Sequence, residues 1–247
     1  MIASGLRIKY SYSRIHRATP NWKSRYVTPP MQRESLSENR DPDGWGGMPL
    51  VALELTHRVK NVFALVSSLV SLSARGRPEV QEFAQAVQAR IRALARAHDC
   101  LAPCDPRGPR PAGRQTAHGL LRTLTAPYEA EHSPQITIEG ADAPIGMHSA
   151  GTIALIVHEL ATNAAKYGAL SNETGTIRIV CAKVDRRYSI EWREEGGPRL
   201  MGEPKHCGFG TMITERLAAA ELVNMQRSWR PEGLRVFLSM TIHDVQC

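Results

Sequence analysis

Residues 158–168 read HELATNAAKYG, and this stretch decides the fold of the region around it. Apolar residues recur at helical spacing before and within it, which predicts a helix from about residue 149 to 168 with one buried face. The polar residues at positions i, i+3, i+4 and i+7 share a neighbouring face, and they are Glu159, Thr162, Asn163 and Lys166. An amide oxygen can bind Mg²⁺ and a lysine attracts phosphate, so this face indicates a site for a Mg²⁺-bound nucleotide. A solvated polar face is the ordinary alternative.

A glycine-containing region further along the chain favours the nucleotide site. Residues 192–198 read WREEGGP, and Gly208-Phe209-Gly210 follows at the start of a helix predicted near 211–222. Glycines let the backbone approach a ligand closely, and a helix N-terminus presents free N–H groups to phosphate. Glu194 ends a predicted strand and offers a carboxylate to the exocyclic amine of adenine. Residues 198–207, between the two motifs, are predicted to form a flexible lid.

A helical hairpin is predicted upstream, over residues 49–101. The apolar residues of its first helix are spaced four, three, four and three, which is typical of a packed helix seam; they are Leu55, Val59, Val62, Val66 and Leu69. Gly76 and Pro78 end this helix, and a second helical pattern runs from Val80 to Leu101. Because such a hairpin exposes apolar surface when alone, we expect two copies to pair into a dimeric four-helix bundle.

His57 is the candidate nucleophile in the first helix. If Leu55 and Val59 belong to the seam, His57 faces solvent, where a neutral imidazole can attack a phosphate. Glu54 lies one turn earlier and is a candidate to orient the ring or accept its proton, and Asn61 lies one turn later. A plain surface histidine in a charged helix is the alternative interpretation.

The remaining chain completes two domains. Residues 102–114 hold four Pro and two Gly, which indicates a linker, and residues 115–247 alternate helix and strand patterns, which predicts an α/β sandwich. Its strands are expected near 136–139, 176–183 and 188–193, with a final hairpin that turns at residues 231–233. The overall fold class is therefore α+β, a helical hairpin followed by an α/β sandwich.

The net charge of +7 arises from an N-terminal arm, predicted to span residues 1–48 and to be disordered. Seven of the 31 Lys and Arg residues lie in residues 1–33 and no Asp or Glu does, so the remaining 24 basic residues balance 24 acidic ones. The arm lacks amphipathic periodicity and a nucleic-acid motif, which argues against nucleic acid as the partner. No stretch reads as a secretory signal or a membrane span, so we expect a cytoplasmic protein.

Together these motifs resemble the HWE family of bacterial sensor histidine kinases, over about residues 49–242. His158 matches the histidine of the family's asparagine-containing box, and Trp192 with Glu194 matches its Trp-x-Glu element. Residues 54–61 resemble the phosphoacceptor box, residues 158–171 the Asn box, and the two glycine motifs its glycine boxes. The family precedent implies a Bergerat-type ATPase fold and the cofactors ATP and Mg²⁺.

The resemblance also implies roles for individual residues. Asn163 would bind Mg²⁺, Lys166 would lie near phosphate, and Glu194 would lie near adenine. His158 and Glu159 join His57, Glu54 and Asn61 as catalytic candidates. The candidates for nucleotide binding are Asn163, Lys166, Tyr167, Glu194, Gly196, Gly197, Gly208, Phe209 and Gly210.

The expected activity is autophosphorylation of His57, followed by transfer to an aspartate of a response-regulator receiver domain. The hairpin is expected to form a homodimer. By analogy with related kinases, Asn61 suggests a phosphatase activity toward the partner. No sensory domain is expected in residues 1–48, which are too few and too irregular for a ligand pocket.

A different class of protein is the alternative. In a non-catalytic phosphotransfer protein, His57 would receive phosphate from another protein and the second domain would be a relic of an ATPase. Such a relic should have lost the Mg²⁺ ligand or the glycines. Asn163, Lys166, Gly196, Gly208 and Gly210 are all present, which favours the active kinase.

Overall fold

The computed structural model describes residues 48–102, 115–129, 135–203, 208–220 and 223–241. Most of the predicted arm, the linker residues 103–114 and residues 204–207 of the predicted lid lie outside the described residues. The predictions for those segments therefore stay predictions.

Two long antiparallel helices form the hairpin. Helix α1 spans Met48–Ala74 and helix α2 spans Pro78–Leu101, and the turn between them passes through Gly76, whose φ of +74° favours glycine. Pro78 stands at the first position of α2, where its missing N–H leaves no hydrogen bond unmade. The predicted hairpin and its turn are confirmed.

The predicted seam of α1 does not face α2. Helix α1 contacts α2 through Lys60, whose Nζ lies 3.0 Å from Asp99 Oδ1, and through Phe63, whose ring meets the ring of His98 edge-on. The Gln88 amide also donates to the carbonyl of Ser67. The apolar stripe lies on a different face and is largely exposed, with Leu55, Val62, Leu65, Val66, Leu69 and Leu72 between 41% and 64% accessible. The stripe is therefore not the contact between α1 and α2, because Lys60, Phe63 and Ser67 lie on the face of α1 that meets α2.

A mixed five-stranded sheet follows the hairpin. Its strands are β1 (Ile136–Gly140), β2 (Thr176–Val184), β3 (Arg187–Glu195), β4 (Asn224–Arg230) and β5 (Gly233–Thr241). They lie in the order β1-β2-β3-β5-β4, with β1 parallel to β2 and the other neighbours antiparallel. The final hairpin turns at Pro231 and Glu232, as predicted.

Three helices cover one face of this sheet: α3 (Ala117–Thr125), α4 (Met147–Tyr167) and α5 (Phe209–Ala220). Two short 3₁₀ helices, Ala126–Tyr128 and Ala169–Ser171, follow α3 and α4. The predicted apolar stripe of α4 is fully buried; it comprises Ile153, Ile156, Val157, Leu160 and Ala164. Alternate residues of β2, β3 and β5 face the helices, as period-two strands with one buried face require. The α+β fold class is confirmed.

Helix α2 belongs to the same hydrophobic core as this α/β layer. Ala93, Ala97 and Leu101 of α2 are buried in one cluster with Leu120 of α3 and Ile153 of α4. Small alanine side chains on the shared face let α2 approach α3 and α4 closely. The hairpin therefore rests on the α/β layer through α2, and α1 forms the outer helix.

Candidate active site

A cavity of about 420 Å³ opens between α4, the start of α5 and one end of the sheet. Six predicted site residues line it: Glu159, Asn163, Tyr167, Glu194, Gly208 and Gly210. They come from three separate parts of the sequence, and the fold brings them together. The remaining predicted nucleotide-binding residues Lys166, Gly196 and Gly197 lie outside the set of described residues that line the cavity. The structure describes only the backbone of Phe209, which begins α5.

Glu194 supplies a buried carboxylate to the cavity. Its Oε2 accepts the backbone N–H of Ala169 at 3.0 Å, and its Oε1 accepts the indole N–H of Trp192 at 3.1 Å. Burial raises the pKa of Glu194, and these two hydrogen bonds oppose that rise. Trp192 and Glu194 are two residues apart on β3 and face the same side, so the Trp-x-Glu spacing holds the carboxylate in place. Each carboxylate oxygen keeps a further lone pair, which a ligand N–H can use.

Three of the four glycines in the two motifs, Gly196, Gly197 and Gly210, are closely packed. A Cβ at position 210 would overlap the Glu159 carboxylate, so any larger residue at this point of α5 would require that side chain to move. Gly196 has a φ of +74°, and a Cβ at position 197 would lie 2.8 Å from the amide nitrogen of Ala169. Gly196 and Gly197 thus let the segment after β3 pack against the segment after α4.

Glu159 connects the cavity to the hairpin. Its Oε1 lies 2.7 Å from Nε of Arg90 on α2, and both side chains are nearly buried, at 11% and 14% exposure. A buried carboxylate is stable only with a counter-charge or several hydrogen bonds, and Arg90 is such a counter-charge. Asn163 lies one turn further along α4 and is exposed at the edge of the cavity, where its amide can meet a ligand.

His158 faces away from the cavity, although it directly precedes Glu159. Its Nδ1 is 2.8 Å from the hydroxyl of Tyr128, and that hydroxyl is 2.9 Å from Oγ1 of Thr162. Desolvation by burial lowers the pKa of His158, nearby arginines including Arg96 lower it further, and Glu159 opposes them. The geometry makes His158 a packed anchor for Tyr128, and the catalytic role predicted for it stays a prediction.

The phosphoacceptor candidates lie on α1. His57 is exposed, and so is Asn61 one turn later. The Glu54 carboxylate accepts a hydrogen bond of 3.0 Å from Nε of Arg58. In this structure Glu54 is therefore paired with Arg58, while the ring of His57 stays open to solvent.

Sequence reasoning did not name five of the cavity-lining residues as site residues: Gly168, Leu200, Thr211, Trp229 and Leu234. Trp229 and Leu234 are cross-strand partners on β4 and β5, and Gly233, the residue before Leu234, packs against the backbone of Glu194 on β3. The end of the sheet thus forms an apolar floor with a carboxylate at one side. The available sequence signal for Trp229 was an aromatic residue close to the predicted turn at residues 231–233.

Residues 54–142 match the family model of the HWE histidine kinases. A blue-light-activated histidine kinase of Erythrobacter litoralis is 31% identical over 195 residues, which are 78% of this chain and 53% of the relative. A blue-light-activated histidine kinase of Brucella anthropi is 32% identical over 190 residues, 75% of this chain and 37% of the relative. The chain therefore spans about half or less of the length of these relatives. The resemblance to the HWE family is confirmed.

The fold is also that of a solved kinase. The structure of a blue-light-activated histidine kinase from Erythrobacter litoralis EL346 matches with a TM-score of 0.52 at 16% identity. The match covers 77% of this chain and 58% of that one. Among the described residues, no helix is long and apolar enough to cross a bilayer.

Proposed function

Because residues 54–142 of this chain are an HWE histidine kinase region, we propose that it is an ATP-dependent protein histidine kinase. It phosphorylates its own His57 and passes the phosphoryl group to an aspartate of a response-regulator receiver domain. The observation that carries this proposal is the cavity that joins Glu194, Asn163 and the glycine-containing start of α5 in a chain with an exposed histidine on α1. Because ATP would donate the phosphoryl group, the proposed location of the protein is the cytoplasm.

The residues around the cavity fit ATP. The apolar floor of Trp229 and Leu234 suits a purine ring, and the fixed carboxylate of Glu194 suits its exocyclic amine. At the other side, the free backbone N–H groups at the start of α5 suit phosphate oxygens, and Gly208 leaves open space there. A volume of about 420 Å³ is in the range of small-molecule sites.

Mg²⁺ would be held by the amide oxygen of Asn163 and by the phosphates, where it offsets charge on the transferred group. Lys166 is exposed one turn beyond Asn163 and supplies a further positive charge to the phosphates. Tyr167 and Leu200 line the cavity, and their apolar surfaces would reduce access of water to a bound nucleotide.

The chemical step belongs to His57. A neutral ring nitrogen attacks the terminal phosphorus, the bond to the bridging oxygen breaks, and ADP leaves with that electron pair. The ring then loses its proton to a base, for which Glu54 is placed one turn away on the same helix. The exposed position of His57 lets two partners reach it in turn, first the nucleotide domain and then the receiver domain.

The exposed stripe of α1 supports a homodimer as part of this proposal. Six large apolar side chains on one helix face form a surface that water does not stabilise. A second copy of the hairpin would bury both stripes in a four-helix bundle.

The test is incubation with γ-labelled ATP and Mg²⁺, using the wild type, His57→Ala and Asn163→Ala. We expect acid-labile, alkali-stable label on the wild type and none on either variant. A wild type that takes no label from ATP, but accepts it from a phosphorylated receiver domain, would instead be a phosphotransfer protein with a relic ATPase.

A further inference from the structure

The ion pair between Arg90 and Glu159 joins two parts of the chain that the sequence separates by a linker. Arg90 lies near the middle of hairpin helix α2, and Glu159 lines the nucleotide cavity from α4. Their charged atoms are 2.7 Å apart, and both side chains are almost removed from water. A charged side chain buried to this extent is destabilising when its partner is removed.

A third element meets this pair. A Cβ built on Gly210 would overlap the Glu159 carboxylate and would lie 3.1 Å from Nη2 of Arg90. The guanidinium therefore reaches past Glu159 to the first turn of α5, where the proposed phosphate site lies. Arg90 is thus a positive charge that the hairpin places directly behind Glu159 and Gly210, two residues that line the cavity.

The charge balance indicates what Arg90 does there. A triphosphate is highly anionic, and an uncompensated carboxylate at Glu159 would repel it across a poorly hydrated wall. Arg90 neutralises that carboxylate, which packs against Gly210 at the start of α5. Nucleotide binding and the contact of α2 with α4 therefore favour one another.

The position of His57 indicates that Arg90 affects nucleotide binding and not the transfer of phosphate. Lys60 pairs with Asp99, so His57, one turn before Lys60, lies at the level of the end of α2 near Leu101. At about 1.5 Å per residue, that level is about 17 Å along the hairpin from Arg90. On helix α4, Gly151 lies next to Leu94 of α2, and Glu159, eight residues later, pairs with Arg90 of α2. Helix α4 therefore runs toward the hairpin turn and away from His57. Phosphoryl transfer within one copy thus needs an arrangement of the two parts other than the one in which Arg90 meets Glu159.

We infer that Arg90 is a positioning residue for nucleotide binding: it neutralises and orients Glu159, and so makes ATP loading depend on the hairpin. This inference rests on the proposed function. It assigns Arg90 to the loading of ATP and not to the transfer step.

The experiment measures the Kd of Mg²⁺-ATP by calorimetry with the full chain, comparing Arg90→Met and Arg92→Met. Methionine keeps the apolar stem and removes the charge, and Arg92 is an exposed arginine two residues away on the same helix. We expect the Kd to rise about tenfold for Arg90→Met, the loss of a partly compensated charge contact, and less than about twofold for Arg92→Met. In autophosphorylation assays the KM for ATP should rise in parallel, while kcat at saturating ATP is not lowered.

A double-mutant cycle separates this role from a general loss of packing. In a Glu159→Gln background no carboxylate needs a counter-charge, so adding Arg90→Met should change the Kd by less than about twofold. Arg90→Lys, which keeps the charge, should bind within about threefold of the wild type, and it remains a usable test if Arg90→Met fails to fold.

Two results would overturn the inference while leaving the kinase proposal intact. One is an equal Kd for the wild type, Arg90→Met and Arg92→Met, all with cooperative thermal unfolding. The other is an undiminished effect of Arg90→Met in the Glu159→Gln background. A wild type that binds no nucleotide would instead overturn the proposed function, and the inference with it.

Discussion

Helices α1 and α4 each carry a histidine within a polar motif, and the two side chains have opposite surroundings. His57 on α1 is exposed, whereas His158 on α4 is buried and bonded to Tyr128. An exposed ring can meet two different partners in succession, while a buried ring with lowered pKa stays neutral and holds its neighbours in place. Residue type alone therefore does not assign the chemistry, because accessibility decides which histidine can be a nucleophile.

The same contrast holds for the apolar residues of the two helices. The stripe of α4 is covered by the sheet and by α2, whereas the stripe of α1 is open. Helix α4 therefore completes its packing within one chain. Helix α1 presents a surface that another copy would cover.

The largest expected effect comes from exchanging each histidine for glutamine. His57→Gln should lose at least about a thousandfold of the acid-labile label, because it removes the nucleophile. Its unfolding temperature should stay unchanged, since an exposed side chain contributes little to packing. His158→Gln should retain label and lose about 1–3 kcal/mol of stability, the cost of disturbing a buried hydrogen-bonded group. Labelling and thermal unfolding of both variants check this.

Label that persists in His57→Gln would show that His57 is not the nucleophile. A folded His158→Gln that takes no label would show that His158 acts in the chemistry itself.

A smaller effect is expected on the open stripe of α1. Leu69 lies at the middle of this stripe and is 62% exposed. Leu69→Asp should weaken self-association by about a hundredfold or more, because it places a charge in the centre of an apolar contact. Sedimentation equilibrium measures the change. Ala64→Asp is the matched control, because Ala64 is exposed on another face of the same helix and should leave association unchanged. Equal weakening by both variants, or a monomeric wild type, would contradict the dimer.

The smallest expected effect is on the pH dependence of folding stability, which depends on the protonation of His158. Burial lowers the pKa of His158 below its ordinary value near 6.5, so between these two values the unfolded chain binds more protons than the folded one. The stability that the neutral ring contributes is fully present above about pH 6.5 and is lost as the pH falls below it. For one proton the slope is at most about 1.4 kcal/mol per pH unit.

Urea unfolding of the wild type and His158→Gln between pH 7.5 and 5.5 measures this slope. The stability difference between the two proteins should shrink on acidification, and taking the difference cancels the other titrating groups. A difference that stays constant or grows would show that His158 is not held neutral.

Much of the fold follows from local patterns. The helical period before residue 168, the alternating strands on either side of residue 185 and the turn at residues 231–233 predicted α4, β2, β3 and the final hairpin to within a few residues. These elements were predictable because burial of one face imposes its period on the sequence. The position of Asn163, Tyr167, Glu194 and Gly210 around one cavity followed from the same elements together with the family resemblance.

Other features depended on contacts between distant segments. A helical period shows that α1 has an apolar stripe, but it does not say whether α2 or another chain covers it. Successive helix residues point about 100° apart, so His158 and Glu159 are neighbours in sequence and yet face different partners.

The sequence by itself determined the elements, the exposed His57 and the polar residues that form the cavity, because each depends on the period or chemistry of a short segment. Only the tertiary structure decided that Arg90 meets Glu159 at 2.7 Å, that Trp229 forms part of the cavity floor, and that His158 anchors Tyr128. These contacts join residues 30 to 70 positions apart or on different strands, and only the packing of the helices on one another and on the sheet brings such residues together.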